Sequence, residues 1–339
     1  MPDDRFSHLP DVWQRCIADF LNSIEDISGS KGSRQNYRST LALFFTQHQD
    51  PESVTRGDVT AFISSPSFGN KNKGKPRSVS SRNGLLTAIS SLYTYASTYE
   101  VDHTPLFQKA SPAQGLRHLK TPRAYRSMNE SELAALFAAI DTSTVAGKRD
   151  YSLLLFYLIS ARRLSEIARL RLADLEETTI IDGNERRMAH IFHFRGKGKS
   201  REDDIAELPQ IVYEAIDAYH VASERKATMT AESALFTSIY PGQGRRDGTK
   251  KDEPLKSSSI HLIFRKYARL AGLTNKSVHS LRHASAQIRF SQGETILSLK
   301  RTLRHSSLNT TFIYLQGLTS QHDKGADLIV ARLPFLAQR

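Results

Sequence analysis

The sequence predicts a mainly α-helical protein of two domains, the second of which contains a small antiparallel sheet of three strands. Three features of the chain lead to this prediction. Apolar residues recur at helical spacing from residue 11 to about residue 100. A segment with three prolines and little periodicity, from His103 to Met128, then separates this region from the rest. Short segments of strand character occur only around residues 178–208, and helical patterns follow from Ser257 onward.

The N-terminal domain is predicted to be a bundle of four to five helices. In the first helix, Trp13, Ile17 and Phe20 recur at helical spacing, and the break at Gly29–Gly32 separates it from the second. The last helix, from about Ser78 to Glu100, carries an apolar stripe formed by Leu85, Leu86, Ile89, Leu92 and Tyr93. We place this domain at residues 1–105, a linker at 106–127 and the second domain at 128–339.

The second domain is predicted to be of α+β type. Its first helix begins after Asn129, with acidic residues in the turn where the helix dipole favours them. Three strands are expected, at Thr178–Ile181, Ala189–Phe194 and Asp204–Leu208. The turn signals between them are Asp182-Gly183-Asn184 and Gly196-Lys197-Gly198-Lys199.

The net charge of +12 and the pI near 9.7 favour a polyanionic partner, because Lys and Arg release condensed counterions when they neutralise phosphates. A solvated basic surface is the alternative. Two basic clusters without any acid, at 71–82 and 109–126, favour nucleic acid. The single Cys16 excludes an internal disulfide and a thiolate zinc site. With no long apolar run and no secretory signal, these features predict a cytoplasmic protein.

Two basic residues occupy positions where they could meet a phosphate. Arg163 lies in Ser160-Ala161-Arg162-Arg163-Leu164-Ser165-Glu166, where a buried helix ends and a second one, predicted to run to Leu175, begins. A helix N-terminus and a guanidinium both bind phosphate oxygens, although a surface pair with Glu166 is the simpler interpretation. Lys197 at a hairpin tip projects from the sheet and can act as an acid if its pKa falls. A solvated basic turn is the alternative for Lys197.

A second polar group lies in His279-Ser280-Leu281-Arg282-His283. On a helix, residues three and four apart share a face, so His279, Arg282 and His283 point in the same direction. Two histidines four apart also match zinc-ligand spacing. The general-base Glu of zinc proteases is absent, however, and Arg282 would place a cation beside the metal. A phosphate site with one Arg and one acid–base His fits this segment better.

His305 and Tyr314 are separated by a segment that predicts a turn. Nine residues on one continuous helix would place the two side chains on opposite faces. The Ser306-Ser307-Leu308-Asn309 segment favours a turn instead, with Asn309 or Thr310 capping a new short helix that carries Tyr314. Both side chains can then face one site. The alternative is that Tyr314 is an ordinary half-buried helix tyrosine.

The order and spacing of these four features resemble the tyrosine recombinase (phage integrase) family. The resemblance covers about residues 128–318, and the helical N-terminal domain is similar to the family's core-binding (SAM-like) domain. It implies a site-specific DNA recombinase that cuts and rejoins strands through a 3′-phosphotyrosine and a Holliday junction. Neither ATP nor a metal is required, so no cofactor is expected.

The resemblance also implies a set of catalytic residues, namely Arg163, Lys197, His279, Arg282, His305 and Tyr314. In this set Arg163 and Arg282 would clamp the scissile phosphate and stabilise its five-coordinate transition state. Tyr314 would attack the phosphorus while His279 assists removal of its proton. Lys197 would protonate the departing 5′ oxygen.

The remaining roles implied by the family concern His305, which would hold a phosphate oxygen, and Glu166, which would orient its neighbours. The sequence departs from the family pattern at two places where Gly is usual, now occupied by Ala161 and Arg304. Arg162 lies beside Arg163, and the register against the following Leu-Ser-Glu selects Arg163 as the phosphate ligand.

The expected partner is a double-stranded DNA recombination site. The resemblance implies a homotetramer on two such sites, assembled through an apolar C-terminal tail (residues 328–336), and a monomer or weak oligomer when free of DNA. DNA contacts are expected, mostly to phosphates, from Arg34, Arg38, Lys75, Arg77 and Arg82. Two alternatives are a type IB topoisomerase that relaxes DNA without site preference, and a catalytically silent DNA-binding protein.

Overall fold

The computed structural model describes residues 4–28, 31–66, 74–120, 127–182, 185–194, 205–238, 253–305 and 307–315. Lys197 and the apolar tail at 328–336 lie outside these residues. The described chain contains helices throughout and one small antiparallel sheet of three strands, which confirms the predicted fold class. The chain divides into two compact units, residues 1–123 and 124–339.

The first unit is a helical bundle. Its helices are α1 (Asp11–Ser28), α2 (Lys31–Phe45), α3 (Arg56–Ser64) and α4 (Val79–Ala96). Trp13 is 1% exposed, and its ring lies 5.7 Å from that of Tyr93, which is fully buried. The Tyr93 hydroxyl donates to the carbonyl of Pro51 at 2.8 Å, so this buried polar group is satisfied. The aromatic stripe predicted from the sequence therefore forms the core of this unit.

A short hairpin follows α4 that the sequence analysis did not predict. Its strands are β1 (Glu100–Val101) and β2 (Thr104–Pro105), and the turn between them holds Asp102 and His103 at positive φ. Beyond the hairpin, Phe107 is 3% exposed, with its ring 4.9 Å from that of Tyr93. The start of the predicted linker thus packs on the helical unit, because Phe107 completes the aromatic core.

The second unit contains eight helices and three strands within its described residues. Its helices are α5 (Glu130–Ala138), α6 (Val145–Ser160), α7 (Leu164–Ile167), α8 (Gln210–Ala222), α9 (Ser257–Leu270), α10 (Val278–Ser291), α11 (Ile296–Leu303) and α12 (Leu308–Leu315). Helix α6 is the centre of the core, with Leu153, Leu154 and Phe156 fully buried. No helix in the described ranges has the length and apolar character needed to span a membrane.

The sheet of the second unit has the order β3 (Leu175–Asp182), β4 (Glu185–His193) and β5 (Ile205–Leu208), all antiparallel. Strands β3 and β4 pair from Leu175↔Phe192 to Asp182↔Glu185. The Phe192 ring lies 4.8 Å from that of Phe156, which attaches the sheet to α6. The helix predicted to run from Arg163 to Leu175 is wrong beyond its first turn. Residues 170 and 172 instead form backbone hydrogen bonds with residues 233 and 235, in extended rather than helical structure.

Candidate active site

Two helix ends in left-handed conformation form the floor of the site. Helix α6 is followed by Ala161 at φ 51°, and α11 is followed by Arg304 at φ 52°. Glycine is the usual residue at such positions, since a side chain makes the left-handed region unfavourable. The two departures from the family pattern noted in the sequence therefore occupy equivalent backbone conformations.

Arg282 joins these two helix ends. It lies on α10, is 2% exposed, and donates from Nη1 to the carbonyl of Ala161 at 2.6 Å and from Nη2 to the carbonyl of Leu303. A buried guanidinium is stable only when its donors are satisfied, and these carbonyls at the ends of α6 and α11 are natural acceptors. The helix ends fix Arg282, and Arg282 in turn fixes the helix ends.

Arg163 occupies the N-cap position of α7 and is exposed. Its Nη2 donates to the carbonyl of Arg304 at 2.7 Å, one residue from the carbonyl that Arg282 binds. Glu166 accepts from the Arg163 backbone N–H at 2.9 Å and lies 3.4 Å from Nη1. The side chain of Arg163 is 49% exposed, so its guanidinium is held in place while remaining accessible to a ligand.

The adjacent Arg162 is directed into the protein. It is 4% exposed and donates to the carbonyls of Thr302 at 3.3 Å and Ile205 at 3.2 Å. Its guanidinium carbon lies 4.7 Å from the centre of the Phe194 ring, a cation–π arrangement. This placement supports the sequence register that selects Arg163 rather than Arg162 as the phosphate ligand.

Tyr314 lies on α12 and points back toward α10 and α11. Its ring stacks on His283 at 3.9 Å and 19°, and lies 4.8 Å from the ring of His305. The Arg282 guanidinium carbon is 5.8 Å from its centre. The predicted turn between His305 and Tyr314 is therefore confirmed. The predicted cap is wrong, because α12 begins at residue 308 and the preceding Ser307 hydroxyl accepts from a backbone N–H of its first turn.

His305 is 8% exposed and is held at both ring nitrogens. Nε2 lies 3.3 Å from Arg282 Nη2, and Nδ1 lies 3.1 Å from the Thr311 hydroxyl. Burial first, and then the charges of Arg282 and Arg163, lower the pKa of His305 to about 4. The ring is thus neutral at pH 7. Because Arg282 can only donate, Nε2 accepts and the single proton of His305 is on Nδ1.

His279 and His283 lie one turn apart on α10. Burial, together with His279 and Arg282, lowers the pKa of His283 to about 4. His279 is at the surface, and its Nδ1 is 3.3 Å from the hydroxyl of Tyr157. Its pKa is also lowered, mainly by desolvation of the ring and then by His261 and Arg282. Burial raises the pKa of Tyr157, so that this partner stays protonated at neutral pH.

Four of the six predicted catalytic residues are linked by the contacts described above, namely Arg163, Arg282, His305 and Tyr314. His279 lies on the same helix as Arg282, and Lys197 is outside the described residues. Sequence reasoning gave no role to His283, Tyr157 or Thr311. His283 was detectable from its position on the face of His279 and Arg282, whereas Tyr157 lies in an apolar helix without any local signal.

The residues expected to contact DNA in the first unit differ in their surroundings. Arg77 donates from Nε to the carbonyl of Ser65 at 2.9 Å, and Arg82 donates to the Ser64 hydroxyl at 3.1 Å. These two arginines therefore fasten the end of α3 to the start of α4. Arg34 lies 3.6 Å from Glu25, and Lys75 is exposed. The side chain of Arg38, on α2, is half-buried.

Within the part of the chain that the structure describes, no group of three or more His, Cys, Asp or Glu side chains is placed to hold a metal ion. His279 and His283 do not form the zinc pair considered from the sequence. His283 is stacked on Tyr314, and the ring nitrogen of His279 faces Tyr157.

Comparison with known proteins identifies the family. Residues 126–321 match the model of the phage integrase family. Tyrosine recombinase XerC of Thermodesulfovibrio yellowstonii is 26% identical over 324 residues, which cover 92% of this chain and 96% of that protein.

Among solved structures, the XerH site-specific recombinase bound to difH substrate has a TM-score of 0.61 at 16% identity, covering 92% of this chain and 88% of that one. A lambda integrase tetramer bound to a Holliday junction has a TM-score of 0.58 at 15% identity, covering 91% and 79%. These two likenesses concern the fold. The match to the family model spans more than half of the sequence, and the chain belongs to the phage integrase family of tyrosine site-specific recombinases.

Proposed function

We propose that this recombinase cuts and rejoins DNA through a covalent bond between Tyr314 and a 3′-phosphate. The observation that carries the proposal is the packing of the Tyr314 ring against His305, close to Arg282. Arg163 and Arg282 reach adjacent carbonyls at the end of α11, so two guanidinium groups lie beside the phenol. A phosphate bound there would meet a nucleophile and two cations at once.

In the proposed reaction, the Tyr314 oxygen attacks the phosphorus, and the bond to the 5′ oxygen breaks. Arg163 and Arg282 stabilise the negative charge that develops on the five-coordinate phosphorus. The product is a 3′-phosphotyrosine and a free 5′-hydroxyl. Because a phenol of pKa about 10 leaves more readily than an alkoxide, a 5′-hydroxyl from the same or a partner strand can reverse the step.

The histidines supply the proton chemistry of this proposal. His279 has a lowered pKa and is neutral at pH 7, so it can accept the Tyr314 proton. If its Nδ1–H is donated to Tyr157, its other nitrogen carries the accepting lone pair. His305 accepts from Arg282 in the empty site, and a bound phosphate would favour protonation of Nε2 and donation to the anion. The family resemblance assigns protonation of the 5′ oxygen to Lys197.

The partner in this proposal is double-stranded DNA, with four copies of the chain acting on two sites in the cytoplasm. XerH is bound to its difH substrate, and lambda integrase forms a tetramer on a Holliday junction. The basic charge of +12 supports the same class of partner for this chain. Its folded likeness to both proteins makes exchange through a Holliday junction the expected route.

The proposal is tested with a suicide DNA substrate, in which a nick near the cleavage site lets the released fragment diffuse away. Candidate sites are taken from the DNA that flanks the gene. We expect a covalent protein–DNA adduct with the unchanged protein and none with Tyr314→Phe. The matched control is Tyr151→Phe, a half-buried tyrosine that packs on Phe137, which should still form the adduct.

Two outcomes would contradict the proposal. An adduct that persists in Tyr314→Phe would assign the nucleophile to another residue. Relaxation of supercoiled plasmids that lack any candidate site, at the same rate as plasmids that carry one, would favour the type IB topoisomerase alternative.

A further inference from the structure

Arg304 is a large charged residue in a backbone conformation that disfavours any side chain. It ends α11 at φ 52°, in the left-handed region. A non-glycine residue persists there only where its surroundings hold it. Its side chain is 19% exposed, so it lies largely within the protein surface rather than in solvent. The contacts of this side chain therefore merit a functional explanation.

Arg304 contacts the environment of Arg163 in two ways. Its Nη1 lies 2.9 Å from Glu166 Oε1, the same oxygen that Arg163 Nη1 approaches at 3.4 Å. Its backbone carbonyl accepts from Arg163 Nη2 at 2.7 Å. Glu166 is thus shared by two arginines, and it binds Arg304 at the shorter distance.

The charges of this group explain why the sharing matters. The Glu166 side chain is only 9% exposed, so water screens its charge weakly. Arg163 and Arg304 contribute two positive charges and Glu166 one negative charge, which leaves a net charge of +1. Without the Arg304 side chain, Glu166 and Arg163 would form a neutral pair. The carboxylate would then compete directly with a phosphate for the Arg163 guanidinium.

We propose that Arg304 is a positioning residue for DNA cleavage, which shares the charge of Glu166 and so keeps Arg163 available to the scissile phosphate. This proposal rests on the function proposed above. It concerns a side chain that takes the place of the usual glycine, and it assigns that side chain to the first step of strand cleavage.

The test compares Arg304→Gly and Arg304→Lys with the unchanged protein on the same suicide substrate. Three quantities are measured: the rate of adduct formation at saturating DNA, the Kd for DNA, and Tm. For Arg304→Gly we expect an adduct rate lower by about tenfold or more, since charges this close interact strongly at low exposure. Its Tm should be unchanged or higher, because glycine accepts the left-handed conformation without strain. Lysine should restore part of the rate.

A matched control separates the backbone effect from the charge effect. Glu224 is also a non-glycine residue at positive φ, 56°, and is exposed in the turn after α8. Glu224→Gly relieves the same kind of backbone strain without touching Glu166, so it should leave the adduct rate unchanged. A rate loss of equal size in Glu224→Gly would overturn the proposal.

A double variant gives the sharpest outcome. If Glu166 captures Arg163 once Arg304 is lost, then removing the carboxylate charge should reverse the defect. We therefore expect Arg304→Gly/Glu166→Gln to form the adduct faster than Arg304→Gly alone. A double variant as slow as or slower than the single one, or an Arg304→Gly protein with an unchanged rate, would refute the role of Arg304. Absence of adduct from the unchanged protein would instead refute the proposed function.

Discussion

At the scale of single residues, the nucleophile lies between two imidazole rings that are both neutral. His283 and His305 each have a pKa lowered to about 4, in both cases mainly by burial and then by neighbouring positive charge. Neutral rings can stack on Tyr314 without adding charge to a region that already holds Arg163 and Arg282. The positive potential of the empty site therefore comes from the arginines, and the histidines are protonated only when an anion favours it.

The lowered pKa values make stability depend on pH in a defined direction. In the unfolded chain both histidines titrate near 6.5, whereas in the folded protein they titrate near 4. Between these values the unfolded chain binds more protons, so the stability present above pH 6.5 is lost as pH falls toward 4. At pH 5 we expect a loss of about 2 kcal/mol per ring. Urea unfolding at pH 7.5 and pH 5 measures the difference.

His283→Phe is the control for this pH dependence. Phenylalanine retains an aromatic ring against Tyr314 but cannot bind a proton, so the variant should lose about 2 kcal/mol less than the unchanged protein between the two pH values. An equal loss in both proteins would show that His283 does not carry the effect.

Site residues were predictable from the sequence only where a local pattern marked them. The segment with His279 and Arg282 has helical spacing, and the turn before Tyr314 is visible in its small polar residues. Tyr157 has no such signal, because its contact with His279 joins residues 122 positions apart in the chain. A long-range contact of this kind is determined by how α6 and α10 pack, which no local pattern encodes.

At the scale of elements, the corner between α6 and α7 assigns opposite tasks to two neighbouring arginines. Arg162 is buried and holds the carbonyls of Thr302 and Ile205, while Arg163 is exposed at the site. The extended backbone at this corner directs successive side chains to different sides. Structural support and ligand binding are thus separated by one residue.

This difference gives a prediction for two alanine variants. Arg162→Ala should lower stability by about 2–3 kcal/mol, because it leaves buried carbonyls without a donor and removes packing on Phe194. Arg163→Ala should lower stability by less than about 1 kcal/mol, since its ion pair is exposed. The same variant should reduce adduct formation by about a hundredfold or more. Thermal unfolding and the suicide substrate measure both effects, and the reverse pattern would contradict the assignment.

The elements that sequence patterns predicted correctly are those that bury one continuous apolar face. The helices of the first unit and the strands of the sheet are of this kind. Helix α7 is one turn long because the chain after it forms backbone hydrogen bonds with residues 233 and 235, more than 60 positions away. The β1–β2 hairpin was not predicted because its strands are two residues long and its turn uses Asp102 and His103 rather than glycine.

At the scale of the whole molecule, the two units have separate cores. The apolar core of the first unit draws its buried residues from Phe6 to Ala113, and the main core of the second draws them from Met128 to Ala284. No residue belongs to both cores. The residues linked around Tyr314 all lie in the second unit, whereas Arg34, Arg38 and Lys75 lie in the first.

We therefore expect a fragment of residues 124–339 to fold alone and to keep its chemistry. It should unfold in one cooperative thermal transition and form the Tyr314 adduct at high DNA concentration, because its core and site are complete without the first unit. Its affinity for DNA should be weaker. The plot of log Kd against log salt should have a smaller slope, by about 0.9 for each phosphate contact that the first unit supplies. Full-length protein and the fragment carrying Tyr314→Phe are the controls. A fragment with the same affinity and slope as the full-length protein would show that the first unit does not contact DNA, and a fragment without a cooperative transition would show that its core is not independent.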